Sequence, residues 1–125
     1  MNPIAYRPPG WPSIIPRLFA PDVEGQVAFL TEVFGADATV NPGGPTEVRL
    51  DGSVLMVSDG QGIHEQGSSF LYIYVPDVDA VFQRARKAGG LVVEPPIDMP
   101  YGDRRATIRD PWGNHWQIAT RLTTV

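Results

Sequence analysis

The chain has 125 residues, which is enough for one domain or for two small half-domains that share a core. Its formal net charge of −4 and the absence of a basic cluster argue against a nucleic-acid partner, and its apolar runs are too short to span a membrane. It contains no cysteine, which excludes disulfides, thiol nucleophiles and thiolate metal sites, and we expect a cytoplasmic protein.

The first elements predicted along the chain are a short strand and a helix. The apolar run SIIPRLFA indicates the strand, and PDVEGQVAFLTEVFG, which follows it, indicates the helix. Asp22 suits the helix N-cap because its carboxylate accepts free amide hydrogens of the first turn, and Gly35 suits the left-handed position at the end. Apolar side chains recur on one face of this helix, at Val23, Val27, Leu30 and Phe34. ADATVN, TEVRL and SVLMVS predict three further strands, which complete a first module over about residues 14–58.

The second half of the chain repeats that order of elements after a polar, glycine-containing linker at 59–67. SFLYIYV predicts a strand, PDVDAVFQRARKAGG a helix capped by Asp77, and LVVEPPI, RRATIRD and HWQIAT three further strands, over about residues 68–121. The apolar face of this helix consists of Val78, Val81, Phe82 and Ala85. We therefore predict an α+β fold, a single domain over 1–125 in which two βαβββ modules form a curved mixed sheet around a central groove.

Alternation along the strands predicts which side chains face that groove. The side chains expected beneath the helices are Leu18, Leu71, Ile73, Val75, Trp116 and Ile118. Those expected in the groove are Ile15, Arg17, Phe19, Val54, Met56, Phe70, Tyr72, Tyr74, His115, Gln117 and Ala119, joined by Arg105 and Thr107. A register shift of one residue in any strand would exchange the two sets for that strand.

The segment RDPWGNHWQIAT joins the last two predicted strands through a tight turn. Proline fixes φ, and the glycine and asparagine tolerate positive φ, so the chain can reverse between them. We expect Asp110 to accept hydrogen bonds from the backbone of this turn and Trp116 to lie in the core beneath a helix. Trp112, at the tip, is expected to cover a partner subunit or the rim of the groove.

The paired modules and the DPWGNHWQIAT segment resemble the vicinal oxygen chelate superfamily, which includes glyoxalase I, extradiol dioxygenases, and bleomycin and fosfomycin resistance proteins. YGDRRATIRDPWGNHWQIAT is most similar to the glyoxalase-like branch called PhnB-like or bleomycin-resistance-like, and the resemblance covers Ile14 to about Arg121. The resemblance implies the paired-module fold. It also implies homodimers, sometimes formed by exchanging modules, with sites between subunits.

The resemblance also implies where a metal would be held. In metal-dependent members the ligands come from the first and last strand of each module, and the matching positions here are Ile15, Met56, Phe70 and Gln117. Isoleucine and phenylalanine have no donor atom, and a methionine thioether suits soft metals. We therefore expect no metal and no cofactor, which argues against the glyoxalase I reaction and against iron-dependent dioxygenase chemistry.

The two histidines do not supply the missing ligands. His115 and Gln117 share a strand, and two ligands from one strand without carboxylates opposite them make a poor site. His64, beside Glu65 in the linker, contributes only if that loop folds over the groove, and we expect a solvent-exposed loop instead.

The predicted groove lining suits a flat organic ligand, because aromatic faces stack on it and arginine forks onto a carboxylate, phosphate or phenolate. Tyr101 and Gly102 lie in a long loop that can form a lid. The candidate ligand-binding residues are Arg17, Phe19, Met56, Phe70, Tyr72, Tyr74, Arg105, His115 and Gln117. For Phe19 and Met56, filling the sheet interior or a subunit contact is an equally good interpretation.

These observations lead to three functional hypotheses. The first is a metal-free small-molecule binding protein that sequesters an aromatic or polar-aromatic compound, with a small organic ligand and a second copy as partners, and neither nucleic acid nor membrane. The second is a lyase or isomerase of the same fold that uses His115, Tyr72 or Arg17 for proton transfer without the usual metal. The third is a metal-dependent lyase or dioxygenase, which the residues at the ligand positions disfavour.

Overall fold

Two modules of the same element order follow one another along the chain. The structure, a computed structural model, describes residues 6–61 and 67–122. The first module contains β1 (Arg17–Phe19), α1 (Val23–Phe34), β2 (Asp37–Thr39), β3 (Thr46–Leu50) and β4 (Ser53–Ser58). The second contains β5 (Phe70–Tyr74), α2 (Val78–Lys87), β6 (Leu91–Asp98), β7 (Asp103–Arg109) and β8 (His115–Arg121). The predicted βαβββ order is confirmed in both halves.

Each module forms its own four-stranded mixed sheet, with strand orders β1-β4-β3-β2 and β5-β8-β7-β6. The first strand of each module runs parallel to the fourth, and the remaining neighbours are antiparallel. The register places Arg17 beside Met56 in the first sheet and Tyr72 beside Gln117 in the second. The α+β fold class predicted from the sequence is therefore confirmed.

Both helices begin at the predicted aspartates. The Asp22 carboxylate accepts from the Gly25 amide at 2.9 Å, and the Asp77 carboxylate accepts from the Ala80 amide at 3.2 Å. Gly35 ends α1 in the left-handed conformation, with φ of 71°. Neither helix is long and apolar enough to cross a membrane, among the residues that the structure describes.

The buried face of α2 is the predicted one, whereas that of α1 is wider than predicted. In α1, Val23, Val27 and Phe34 are only partly buried, although Leu30 is fully enclosed. The buried side chains of this helix are Gln26, Phe29, Leu30 and Val33. The physical reason is that α1 packs against the second module as well as against its own sheet.

One hydrophobic core joins the two modules through the helices. Phe34 of α1 packs on Trp116 of β8, with ring centroids 5.0 Å apart, and Arg84 of α2 donates from Nε to the Val33 carbonyl at 3.1 Å. The strand residues predicted beneath the helices all pack in or against this core, namely Leu18, Leu71, Ile73, Val75, Trp116 and Ile118. The opposite face of each sheet is turned away from the helices. We call the face that carries Arg17 and Met56 the first open face, and the face that carries Tyr72 and Gln117 the second open face.

Candidate functional site

The second open face brings together side chains from all four strands of its sheet. Phe70 pairs with His115, Tyr72 with Gln117, and the register continues to Thr107 on the next strand. The full set comprises Phe70, Tyr72 and Tyr74 of β5, His115, Gln117 and Ala119 of β8, Asp103, Arg105 and Thr107 of β7, and Glu94 of β6. Six of these residues were predicted as ligand-binding, and the structure places them on one surface.

Three aromatic side chains of β5 are exposed on this face. Phe70 is 62% exposed, Tyr72 41% and Tyr74 56%. Phe70 stacks on His115 with centroids 5.3 Å apart and rings 8° from parallel, and Tyr72 meets Tyr74 edge to face at 5.4 Å. Exposed rings in this number on one strand are unusual, because apolar surface of that extent is normally covered by protein or ligand.

A buried carboxylate holds the two tyrosine hydroxyls. Asp103 is 1% exposed and accepts from the hydroxyls of Tyr72 at 2.7 Å and Tyr74 at 2.8 Å, while Arg121 lies 3.3 Å from its other oxygen. The Tyr72 hydrogen bond is the main reason that the Asp103 pKa lies below its usual value. Burial, followed by hydrogen bonds with Tyr101 and Asp103, raises the pKa of Tyr72, so its hydroxyl stays protonated at neutral pH.

The arginine on this face is already paired. Arg105 donates through Nη2 to both oxygens of Glu94, at 3.0 and 3.3 Å, and through Nη1 to the Tyr101 hydroxyl at 3.1 Å. Thr107 donates to the same Glu94 carboxylate at 2.6 Å, and this bond is the first cause of the lowered Glu94 pKa. The Arg105 charge is therefore neutralised within the sheet and does not stand ready for an anionic ligand.

The turn between β7 and β8 is held by Asp110, as predicted. This buried carboxylate accepts from the amides of Trp112 and Asn114 and from the Trp116 indole, each at 3.0 Å. The Trp112 ring packs edge to face on Phe29 of α1, with centroids 6.3 Å apart. This contact anchors the turn to the first module.

The first open face carries fewer aromatic groups and one arginine with uncharged partners. Arg17 donates from Nε to the Ser58 hydroxyl at 3.2 Å, and its guanidinium lies 5.9 Å from the Phe19 ring centroid. Arg49, by contrast, pairs with Glu47 at 2.7 Å on the same sheet. Of the arginines predicted to bind ligand, Arg17 is thus the one whose described partners leave its charge uncompensated.

A cleft of about 770 Å³ lies where the two modules meet, between β5 on one side and the segment before β1 with the β3–β4 turn on the other. Tyr72 and Tyr74 line it together with Ile14, Pro16 and Val54. The other predicted ligand-binding residues lie outside the described lining of this cleft, on the open faces: Arg17, Phe19, Met56, Phe70, Arg105, His115 and Gln117.

Three residues predicted to face the groove are enclosed. Val54, Thr107 and Ala119 are all buried, although alternation places them on the open faces. Ala119 lies between Tyr74 and Arg105 of the neighbouring strands, and these longer side chains leave its methyl group no exposed surface. The prediction of their strand face was right, but small side chains on such a face contribute little contact surface.

The positions mapped for a metal do not fit one. Isoleucine, methionine, phenylalanine and glutamine stand there, at Ile15, Met56, Phe70 and Gln117. Within residues 6–61 and 67–122, no group of three or more His, Cys, Asp or Glu side chains is placed to hold an ion. The described contact of the His115 side chain is the Phe70 ring. The alternative that involved His64 and Glu65 falls outside the described residues.

Three residues of this face were missed in the sequence. Asp103 and Arg105 alternate along DRRATIR, but we began the strand at Arg104, which left Asp103 in the preceding loop. Glu94 lies between two register irregularities in the pairing of β6 with β7, so strict alternation does not indicate its face. Tyr101 was predicted only as part of a lid, and its hydroxyl lies 3.2 Å from that of Tyr72.

Comparisons with known proteins agree with this architecture. The family model described as Glyoxalase/Bleomycin resistance protein/Dioxygenase superfamily matches residues 13–118. A relative from Mycobacterium bovis, named Uncharacterized protein Mb0911c, is 30% identical over 131 residues, which span 91% of this chain and 86% of the relative.

Two solved structures are also similar to this chain. A glyoxalase-related enzyme from Fulvimarina pelagi is 25% identical, with a TM-score of 0.75 and 88% of each chain covered. TioX from Micromonospora sp. ML1 is 24% identical, with a TM-score of 0.73 over 87% of this chain and 98% of that chain. The likeness to TioX shows the shared fold alone.

Proposed function

This chain belongs to the Glyoxalase/Bleomycin resistance protein/Dioxygenase superfamily, and from that premise we propose that it is a metal-free small-molecule binding protein. Its ligand is an aromatic or polar-aromatic compound held against the second open face. The observation that carries this proposal is the set of exposed rings of Phe70, Tyr72 and Tyr74, which stand on one strand beside the cleft between the modules. Concave, largely apolar surfaces with a few directed polar groups are the usual small-molecule sites.

The chemistry of the side chains supports recognition in preference to Lewis-acid catalysis. A catalytic zinc or nickel site normally takes three or more protein ligands, and only Gln117 of the four mapped residues has an oxygen or nitrogen donor. Ring stacking contributes on the order of 0.5–1.5 kcal/mol per pair beyond burial, so two or three rings suffice to hold a flat ligand.

A second copy of the chain is the partner that we propose for the open faces. The superfamily resemblance implies homodimers with sites between subunits, and the apolar groups left exposed by one chain include Ile14, Phe70 and Tyr74. Covering these groups would exclude water from the ligand and complete the walls of the site. A cytoplasmic location is part of the same proposal and agrees with the absence of cysteine.

The experiment that tests this proposal is a thermal-shift screen of aromatic metabolites and antibiotics, followed by a search for turnover of each hit. We expect hits that raise the melting temperature in a concentration-dependent way and are recovered unchanged. A hit that the protein consumes would favour the lyase or isomerase instead. A screen in which only non-aromatic compounds bind would contradict the proposed aromatic recognition.

A further inference from the structure

The hydroxyl hydrogens of Tyr72, Tyr74 and Tyr101 are donated within one network that ends at the Asp103 carboxylate. At neutral pH the Asp103 carboxylate has no hydrogen to give, so Tyr72 and Tyr74 must both donate to its Oδ2 atom. A tyrosine hydroxyl has a single hydrogen, and in both tyrosines that hydrogen is donated to Asp103. The two hydroxyl oxygens can therefore only accept hydrogen bonds from a ligand.

The next member of the network has the same polarity. The hydroxyls of Tyr101 and Tyr72 lie 3.2 Å apart, and because the Tyr72 hydrogen is taken, Tyr101 is the donor in this bond. Arg105 in turn donates to the Tyr101 oxygen at 3.1 Å. The hydrogens are thus donated from Arg105 to Tyr101, from Tyr101 to Tyr72 and from Tyr72 to Asp103. Tyr74 is the most exposed of the three tyrosines, at 56%, and we assign its oxygen as the acceptor for a ligand.

Reversing this direction is unfavourable because the carboxylate that anchors it is buried. If Tyr74 turned its hydrogen toward a ligand, Asp103 would lose a donor while only 1% exposed, and water would not replace it. The orientation of the hydroxyls is therefore a fixed property of the folded sheet. A ligand that hydrogen-bonds to these oxygens has to supply the donor.

We infer that this tyrosine pair selects ligands by their hydrogen-bond donors: an aromatic compound with an amide N–H, amine or ammonium group binds more tightly than one with only a carboxylate, phosphate or ester. The ligand ring would pack beside Tyr72 and Tyr74, and its N–H would donate to the Tyr74 oxygen. This inference rests on the proposed function, since it names the class of compound held at that face.

The charges around the pair do not by themselves select a cation or an anion. Asp103 is paired with Arg121 and Glu94 with Arg105, so the four charged groups of the network balance. The site should therefore discriminate between ligands by whether they donate a hydrogen bond. A neutral amide should bind more tightly than a neutral ester.

The test is a binding titration of the full-length protein with four ligands that share one phenyl ring. Phenylacetamide and 2-phenylethylamine carry donors, whereas methyl phenylacetate and phenylacetate carry acceptors only. We expect the two donors to bind about fivefold to tenfold more tightly than the ester and the carboxylate, which is the effect of one ordinary hydrogen bond. Chemical-shift changes in NMR spectra give the dissociation constants and report whether the β5 residues respond.

Variants identify the atom responsible. Tyr74→Phe should bring the ratio of amide to ester affinity to near one, while Tyr6→Phe, at an exposed tyrosine far from β5 in sequence, should leave the ratio unchanged. Asp103→Asn should also lower the ratio, because an asparagine amide donates to the tyrosine oxygens and releases their hydrogens toward the ligand. Tyr74 is an exposed residue, so its variant keeps the test valid even if Asp103→Asn does not fold.

The outcomes separate this inference from the function on which it rests. Equal or tighter binding of the ester or carboxylate, or an unchanged ratio in Tyr74→Phe, overturns the inference but leaves an aromatic binding protein. Failure of all four compounds to bind overturns both.

Discussion

Gln26 of α1 donates from Nε2 to Oδ2 of Asp110 across 3.0 Å, and this hydrogen bond joins the two modules. Asn114 completes the link by donating from Nδ2 to Oε1 of Gln26, also at 3.0 Å. All three side chains are buried, and a buried polar group is stable only when its donors and acceptors are satisfied. These bonds fix the turn before β8 to the first module. They thereby also fix the β8 side chains of the second open face.

Asp110→Ala should destabilise the protein by about 3 kcal/mol, because it removes the acceptor for four donors, several of which are buried. Asp98→Ala is the matched control, since Asp98 makes an exposed ion pair with Arg104 and such pairs contribute about 0–1 kcal/mol. Urea unfolding of both variants measures the difference. Equal losses of stability would show that the Asp110 network is not the link between the modules.

Arg17→Ala should weaken binding of a phenolic hit that extends from the second open face to the first by about tenfold, without changing the fold. The physical reason is that the described partners of this guanidinium, Ser58 and Phe19, leave its charge available. Tyr72→Ala should weaken binding too, through the lost ring contact. Arg86→Ala, on the exposed side of α2, serves as the control. If neither Arg17→Ala nor Tyr72→Ala alters the dissociation constant measured by calorimetry, the ligand lies elsewhere.

Elemental analysis of the purified protein should give nickel, zinc and iron contents well below one ion per chain. The residues at the mapped positions, Ile15, Met56 and Phe70, offer no oxygen or nitrogen to such ions. Treatment with a chelator should leave the melting temperature and ligand affinity unchanged. Stoichiometric metal whose removal abolishes an activity would establish the metal-dependent alternative.

The melting temperature should fall on acidification below pH 3.8, the ordinary pKa of the Asp103 carboxyl, more steeply in the wild type than in Asp103→Asn. Because folding lowers the pKa of Asp103, its contribution to stability is present above the unfolded value and is lost as pH falls through the folded one. Asparagine has no such titration but keeps similar volume. Parallel pH profiles of wild type and variant would contradict a lowered pKa in the folded state.

Sedimentation should give a particle of twice the 13.7 kDa chain mass, with dissociation favoured by Phe70→Glu. A charge at this exposed ring position would oppose burial of the second open face against another subunit. Val40→Glu, at a residue in the loop after β2 that is also exposed, is the control for added charge. A monomer at every accessible concentration would leave the open faces without the proposed partner.

The sequence by itself determined the modules and their local geometry. Helix starts at Asp22 and Asp77, the left-handed glycine at Gly35 and the backbone bonds of Asp110 depend on neighbours within a few residues, which a linear pattern records. Strand alternation likewise separated the core face from the open face, because successive side chains of a strand must point to opposite sides. The four metal positions, by contrast, were mapped from the superfamily resemblance.

Only the tertiary structure decided how those surfaces are used. The packing of α1 against the second module buries Gln26 and Phe29, and no periodicity within the helix shows that a second surface will cover them. The irregular pairing of β6 put Glu94 beside Arg105, and Tyr72 reached Asp103 across 31 positions of sequence. The direction of a hydrogen bond depends on which groups meet in space. That Tyr72 and Tyr74 donate to Asp103 and can only accept from a ligand therefore follows from the folded sheet and not from the local sequence.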